Sequence, residues 1–91
     1  MHTLHLTLKR RWYDMIESGV KREEYREIKP YWNVRLGRRK YYAVCFRNGY
    51  AKDARRMTFK LRGVTLGFGK AEWGAPSAHA VYVLKLGKRM P

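Results

Sequence analysis

The sequence contains one cysteine and no long apolar run. Cys45 cannot form an internal disulfide, and no cluster of Cys and His residues shows the spacing of zinc ligands. The N-terminal "MHTLHLTL" lacks the apolar core of a signal peptide, and no stretch approaches the length of a transmembrane helix. These absences argue against a disulfide-stabilised, zinc-binding or membrane-spanning protein. We therefore expect a soluble, cytoplasmic protein that needs no cofactor.

Acidic residues are also scarce, because 7 Asp and Glu face 21 Lys and Arg, which gives a net charge of +14. Five of the acids lie in residues 1–27, so residues 28–91 hold 15 of the 21 basic residues but two acids. Such an excess favours an anionic partner, and nucleic acid is the first candidate. A membrane surface is a weaker candidate, and the charge is also compatible with an acidic protein partner or with a basic surface that has no function. Charge alone does not distinguish RNA from DNA.

Periodicity predicts an α+β fold in a single domain of residues 1–91. "TLHLTL" (residues 3–8) alternates like a half-buried strand, and residues 9–19 follow with helical spacing up to Gly19. Four further strands are predicted, and residues 29–40 and 70–80 are predicted as loops, the first with one helical turn. The result is a small mixed β-barrel of five to six strands with one N-terminal helix. The four further strands are residues 21–28, 40–49, 55–69 and 80–87. The glycines of the strand at residues 55–69 indicate a bend, a bulge or a second hairpin within it.

The segment "SGVKREEYR" concentrates charged side chains after that helix. In a strand, Glu24 and Arg26 share a face and lie about 7 Å apart. Lys21 has the opposite parity, so it joins them if it lies in the turn that Gly19 permits. We expect the three side chains to meet in one pocket, with Glu24 accepting from a base edge and Arg26 gripping a phosphate or carboxylate. The simpler interpretation is an ion pair of Glu24 and Arg26 at the barrel rim.

The same segment matches the pattern Gly-x-Lys-x-x-Glu-x-Arg, at Gly19, Lys21, Glu24 and Arg26. In this the chain resembles the ASCH domain family, a relative of the PUA RNA-binding barrels. The resemblance extends to the leading strand and helix and to "KPYW", "FRNGY" and "AEWGA…YVLKLG", and so covers nearly the whole chain. It implies a PUA-like β-barrel with a cleft that binds RNA or a nucleotide.

The resemblance also implies that the chain could be an enzyme, because some members are similar to hydrolases of N4-acetylcytidine and a few are described as ribonucleases. The hydrolases of N4-acetylcytidine use a threonine nucleophile where this chain has Glu24, and a carboxylate there cannot perform the same acyl chemistry. In a ribonuclease, Lys21 would stabilise charge and Glu24 or a tyrosine would carry the proton, with a divalent metal as an option. Whether the chain is an enzyme stays open, with Lys21 and Glu24 as the candidate catalytic residues.

Aromatic residues beside basic ones are typical of surfaces that hold unstacked bases. Trp32, in a predicted loop, is the candidate for stacking, and it completes a ligand-binding set with Gly19, Lys21, Glu24 and Arg26. Trp73 could cover the cleft or cap the barrel, and Glu72 could be a second carboxylate of the cleft or the partner of an arginine. The candidate contacts to a nucleic-acid backbone are Arg10, Arg11, Arg38, Arg39, Arg55 and Arg56.

Overall fold

The structure, a computed structural model, describes residues 2–91. This part of the chain forms five strands, which build one sheet in the order β1-β3-β4-β5-β2 and curl into a half-barrel, and two α-helices. A short 3-10 turn spans Ala71–Trp73. The elements are β1 (His2–Leu8), α1 (Arg10–Glu17), β2 (Glu23–Arg26), α2 (Pro30–Leu36), β3 (Tyr41–Asn48), β4 (Arg56–Gly67) and β5 (Val81–Met90).

Strands β1 and β3 run parallel, and the other neighbouring strands run antiparallel. A parallel pair needs a long crossover, and residues 9–40 supply it with α1, β2 and α2. This crossover carries β2 to the far edge of the sheet, where it pairs with β5. The two edge strands are joined where Nη2 of Arg26 donates a hydrogen bond to the carbonyl oxygen of Thr7, at 3.3 Å.

The alternation of β1 confirms the predicted half-buried strand, because Leu4, Leu6 and Leu8 are all buried. They pack with α1 and with the inner faces of β3, β4 and β5 in one apolar core. The helical spacing of residues 9–19 predicts that Trp12, Met15 and Ile16 share the buried face of α1, whereas the structure buries Tyr13 completely and leaves Trp12 half-buried. The core consists of Leu4, Leu6, Leu8, Tyr13, Ile16, Leu36, Val44, Phe46, Met57, Phe59, Tyr82, Leu84 and Leu86.

A second helix, α2, replaces most of the predicted loop at residues 29–40, so the expectation of one helix was wrong. Pro30 occupies the first turn of α2, where its missing N–H costs no hydrogen bond, and thus both ends the extended segment and starts the helix. Leu36 is buried, and the hydroxyl of Tyr82 donates to Oδ1 of Asn33 at 2.6 Å. The helix is therefore anchored by tertiary contacts, which its sequence does not display.

The predicted strand boundaries shift in three places. Strand β2 is limited to residues 23–26, which leaves Lys21 in the preceding turn. Where a bend, a bulge or a second hairpin was predicted, β4 is one long strand whose register with β5 shifts between Phe59 and Gly63, so the second hairpin is not present. Strand β5 extends three residues beyond the predicted end at Gly87. No helix formed by residues 2–91 is long and apolar enough to cross a membrane.

Candidate functional site

Lys21 is almost completely enclosed, with 1% of its side chain exposed. Gly19 turns the chain after α1 with φ of +86°, and the side chain of Lys21 then points to the face of β2 that carries Glu24. Nζ lies 3.1 Å from Oε1 of Glu24 and donates a hydrogen bond to the carbonyl oxygen of Trp73. The ring centroids of Trp12 and Tyr25 lie 4.8 and 5.0 Å from Nζ. Lys21 is thus held by four neighbours of different chemistry.

Burial is the main influence on the pKa of Lys21 and lowers it, because removal from water disfavours the ammonium ion. The carboxylate of Glu24 acts in the opposite direction, by charge and by hydrogen bonding. The faces of the two aromatic rings also favour a cation at this position. The ion pair with Glu24 therefore partly offsets the cost of enclosing Lys21.

Glu24 links Lys21 to Arg26, since its second oxygen, Oε2, accepts from Nη2 of Arg26 at 2.7 Å. The side chain of Glu24 is 8% exposed and that of Arg26 is 19% exposed. Nε of Arg26 is buried and has no hydrogen-bond partner within residues 2–91. The structure therefore brings the three predicted side chains together in a row that runs from the interior, at Lys21, to the surface, at Arg26.

A cavity of about 740 Å³ opens beside the outer end of this row, and we call it the Arg26 cavity. Arg26 and Trp32 line its wall together, with the guanidinium carbon of Arg26 5.1 Å from the centroid of the indole ring. Lys21 and Glu24 do not line it. The further lining residues are Tyr25, Glu27, Lys29, Gly74, Ala75, Pro76, His79 and Val81.

Tyr25 forms another part of this wall, and its hydroxyl is fixed by two hydrogen bonds. It donates to Oε1 of Glu23 at 2.8 Å and accepts from the backbone N–H of Lys70 at 3.0 Å. Burial and the bond to Glu23 raise the pKa of Tyr25 to about 12. The phenol therefore keeps its proton at neutral pH.

Trp32 was predicted to stack on a base from a loop, and the structure places it on α2 instead. It is half-buried, packs against the apolar core, and contacts the ring of Tyr31 edge-on at a centroid distance of 4.7 Å. A helix fixes an indole ring more firmly than a loop does. The ring can therefore offer a pre-oriented surface to a ligand.

None of the six arginines predicted to contact a nucleic-acid backbone lines the Arg26 cavity. Arg55 is paired with Glu17, and Nε of Arg10 lies 3.7 Å from Asp14. Arg11 stands over the ring of Trp12, at 4.6 Å from its centroid. Arg38, Arg39 and Arg56 are exposed, and Arg39 lines a second cavity between β1 and α2. The cationic surface is thus spread around the molecule.

Several neighbours of Lys21 and of the Arg26 cavity were not predicted from the sequence. The carbonyl of Trp73 and the rings of Trp12 and Tyr25 surround Lys21, and His79 lines the Arg26 cavity. Trp73 thus touches the site through its backbone, and Glu72 is exposed and takes part in no ion pair within residues 2–91. The contact between Lys21 and the carbonyl of Trp73 joins residues 52 positions apart, and no local sequence pattern indicates it.

Neither metal clusters nor known relatives add to this description. Within residues 2–91, no group of three or more His, Cys, Asp or Glu side chains could hold a metal ion. Comparisons with protein-family models, with curated proteins and with solved structures found no match to this chain. The resemblance to the ASCH domain therefore stays a prediction based on Gly19, Lys21, Glu24 and Arg26.

Proposed function

We propose that this chain is an ASCH-type domain with a PUA-like fold that binds RNA or a nucleotide in the Arg26 cavity. The observation that carries the proposal is the pairing of Arg26 with Trp32 in the wall of that cavity. A guanidinium can bind a phosphate through two parallel hydrogen bonds, and an indole ring can stack on a base. A nucleotide offers both groups.

Lys21 and Glu24 have a positioning role in this proposal. Their side chains are 1% and 8% exposed and are engaged with each other, so a ligand in the cavity meets Arg26 first. Glu24 fixes the guanidinium from behind, and Lys21 fixes Glu24. Two basic side chains share one carboxylate, which leaves the row less than fully neutralised and favours an anion at its outer end.

The charge of the whole chain supports the same class of ligand. A net charge of +14 attracts polyanions and makes their binding depend on salt concentration. The exposed arginines, Arg38, Arg39 and Arg56, would add contacts that position a nucleic acid without selecting its sequence. Selectivity would then arise at the Arg26 cavity.

The test measures binding of a labelled single-stranded RNA by fluorescence anisotropy over a range of salt concentrations. Arg26→Gln should weaken binding about tenfold or more, because a hydrogen bond to a charged group is worth about 1.5–3 kcal/mol. Trp32→Leu should cost about 1–3 kcal/mol if the ring stacks on a base. Lys85→Gln is the matched control, since Lys85 is exposed and lines neither the Arg26 cavity nor the cavity between β1 and α2.

Equal losses for Arg26→Gln and Lys85→Gln would contradict a specific cavity and leave only general attraction to polyanions. Thermal unfolding of each variant shows whether it is folded. The same preparations should be incubated with RNA and with N4-acetylcytidine, to test for hydrolase activity. Turnover that Lys21→Met abolishes would replace the binding proposal with a hydrolase. The enclosure of Lys21 and Glu24 gives no support to that outcome.

A further inference from the structure

A second cavity, of about 670 Å³, lies on the other side of Trp32, between β1 and α2. We call it the Arg35 cavity. Trp32 lines both cavities, so the two are neighbours that share one aromatic wall. The other residues that line the Arg35 cavity are His2, Thr3, Leu4, His5, Tyr31, Arg35, Arg39, Lys40 and Tyr41.

We propose that the Arg35 cavity binds the nucleotide adjacent to the one in the Arg26 cavity. The ligand would then be a single-stranded oligonucleotide that passes over Trp32, and not a mononucleotide. This inference rests on the function proposed above and adds a second site and a ligand class to it. Each cavity has a volume typical of a small-molecule site, which suits one nucleotide better than a double helix.

The charges around the Arg35 cavity fit an anion. Arg35, Arg39 and Lys40 line it, and no Asp or Glu does. None of these three cations takes part in an ion pair within residues 2–91. Like charges gathered without a counter-charge repel one another, and a phosphate group would relieve that repulsion.

The aromatic residues of the Arg35 cavity form a fixed platform. The guanidinium carbon of Arg35 lies 3.6 Å from the ring centroid of Tyr31, and Nη1 of Arg35 donates to the carbonyl oxygen of Tyr31 at 3.2 Å. Tyr31 in turn meets Trp32 edge-on, at an interplanar angle of 84°. Tyr31 is 53% exposed, so this platform is open to a ligand. A basic groove with aromatic faces is how proteins hold single strands.

The spacing along α2 explains why one helix serves both cavities. Trp32 lines both cavities, and Lys29, the residue before α2, lines the Arg26 cavity. Tyr31 and Arg35, four residues apart and so on one face of α2, line the Arg35 cavity. A single-stranded oligonucleotide that crosses the exposed surface of α2 would therefore meet a cation and an aromatic ring in each of the two cavities.

The test compares the affinities of uridine 5′-monophosphate and a single-stranded octauridylate, by competition against a labelled octauridylate in fluorescence anisotropy. The wild-type chain should bind the octanucleotide much more tightly than the mononucleotide. Arg35→Gln should weaken octanucleotide binding about tenfold or more and mononucleotide binding far less, so the ratio of the two affinities should fall. Lys40→Gln should act in the same direction, and it covers the case in which Arg35→Gln does not fold.

Lys85→Gln removes one positive charge outside both cavities and is the control. Equal losses for Arg35→Gln, Lys40→Gln and Lys85→Gln on the octanucleotide would overturn the second site. A mononucleotide that binds as tightly as the octanucleotide would overturn it as well, while leaving the proposed function in place. If neither ligand binds, the proposed function fails and this inference fails with it.

Discussion

The substitution Glu24→Gln should destabilise the fold strongly, because Glu24 is the shared counter-charge of Lys21 and Arg26. It lies 3.1 Å from the ammonium of Lys21 and 2.7 Å from the guanidinium of Arg26, and the side chain of Lys21 is 1% exposed. Glutamine keeps the shape but removes the charge, and its amide nitrogen cannot accept a hydrogen bond from either cation. Lys21 would then be a buried cation without a counter-charge.

Removal of one partner from a buried ion pair costs about 3–5 kcal/mol. A domain of this size is stable by about 5–15 kcal/mol, so the loss takes a large share of the total. Each kcal/mol lowers the unfolding midpoint of such a domain by about 4–8 °C, so the midpoint should fall by at least about 12 °C. Urea unfolding followed by circular dichroism measures the free energy directly, and a thermal scan measures the midpoint.

The matched control is Glu27→Gln, which makes the same chemical change on an exposed pair. Oε1 of Glu27 lies 3.9 Å from Nζ of Lys29, and their side chains are 72% and 50% exposed. Such a pair contributes about 0–1 kcal/mol, so the control should be close to wild type. A Glu24→Gln protein as stable as the Glu27→Gln protein would refute the claim that Lys21 depends on its enclosed carboxylate.

A second check is the double variant Lys21→Met/Glu24→Gln. An apolar side chain at position 21 removes the uncompensated charge, so the double variant should lose less stability than the sum of the two single changes. Additive losses would show that the two side chains are energetically independent despite their contact. The result also matters for function, because weak RNA binding by a Glu24 variant is informative only where the protein is folded.

Three further changes test other parts of the structure. Because the pKa of Tyr25 is raised from 10.0 to about 12, its contribution to stability is complete below pH 10 and lost as the pH rises towards about 12. Urea unfolding over this range should therefore show a steeper decline for wild type than for Tyr25→Phe, and parallel declines would contradict the raised pKa. Gly74→Ala should cost about 1–3 kcal/mol, since φ is +96° and the added methyl group would lie 2.9 Å from an indole carbon; Gly63→Ala, with no atom within 4 Å of the added carbon, is the control in the same denaturation assay. Tyr82→Phe removes the hydrogen bond to Asn33 and should cost about 0.5–1.5 kcal/mol, with faster amide hydrogen exchange in α2, and unchanged exchange there would contradict the anchoring role of this bond.

The parts of the fold that the sequence predicted are those with strong local periodicity. The alternating leucines of β1 identify the strand and its inner face, and Gly19 identifies the end of α1. The convergence of Lys21 with Glu24 and Arg26 followed from strand parity together with that glycine turn. Side chains close in sequence have few possible arrangements, so a single turn was enough to bring the three together.

Helix α2 could not be predicted in the same way, because its sequence "PYWNVRL" has little helix propensity of its own. Its stability comes from the burial of Leu36 and from the bond between Tyr82 and Asn33, 49 residues apart. Local propensity carries no information about such contacts. Both cavities are lined by residues of α2. Because the sequence analysis predicted a loop in place of this helix, it predicted neither the second cavity nor the position of Trp32.

The hydrogen bond from Arg26 to Thr7 joins β2 and β1, the two edge strands of the curled sheet. The same guanidinium lines the Arg26 cavity. If an anion bound there weakens the bond to Thr7, reciprocity requires that separating β1 from β2 changes anion affinity by the factor with which the anion changes that separation. The proposed ligand site and the closure of the two sheet edges would then be coupled.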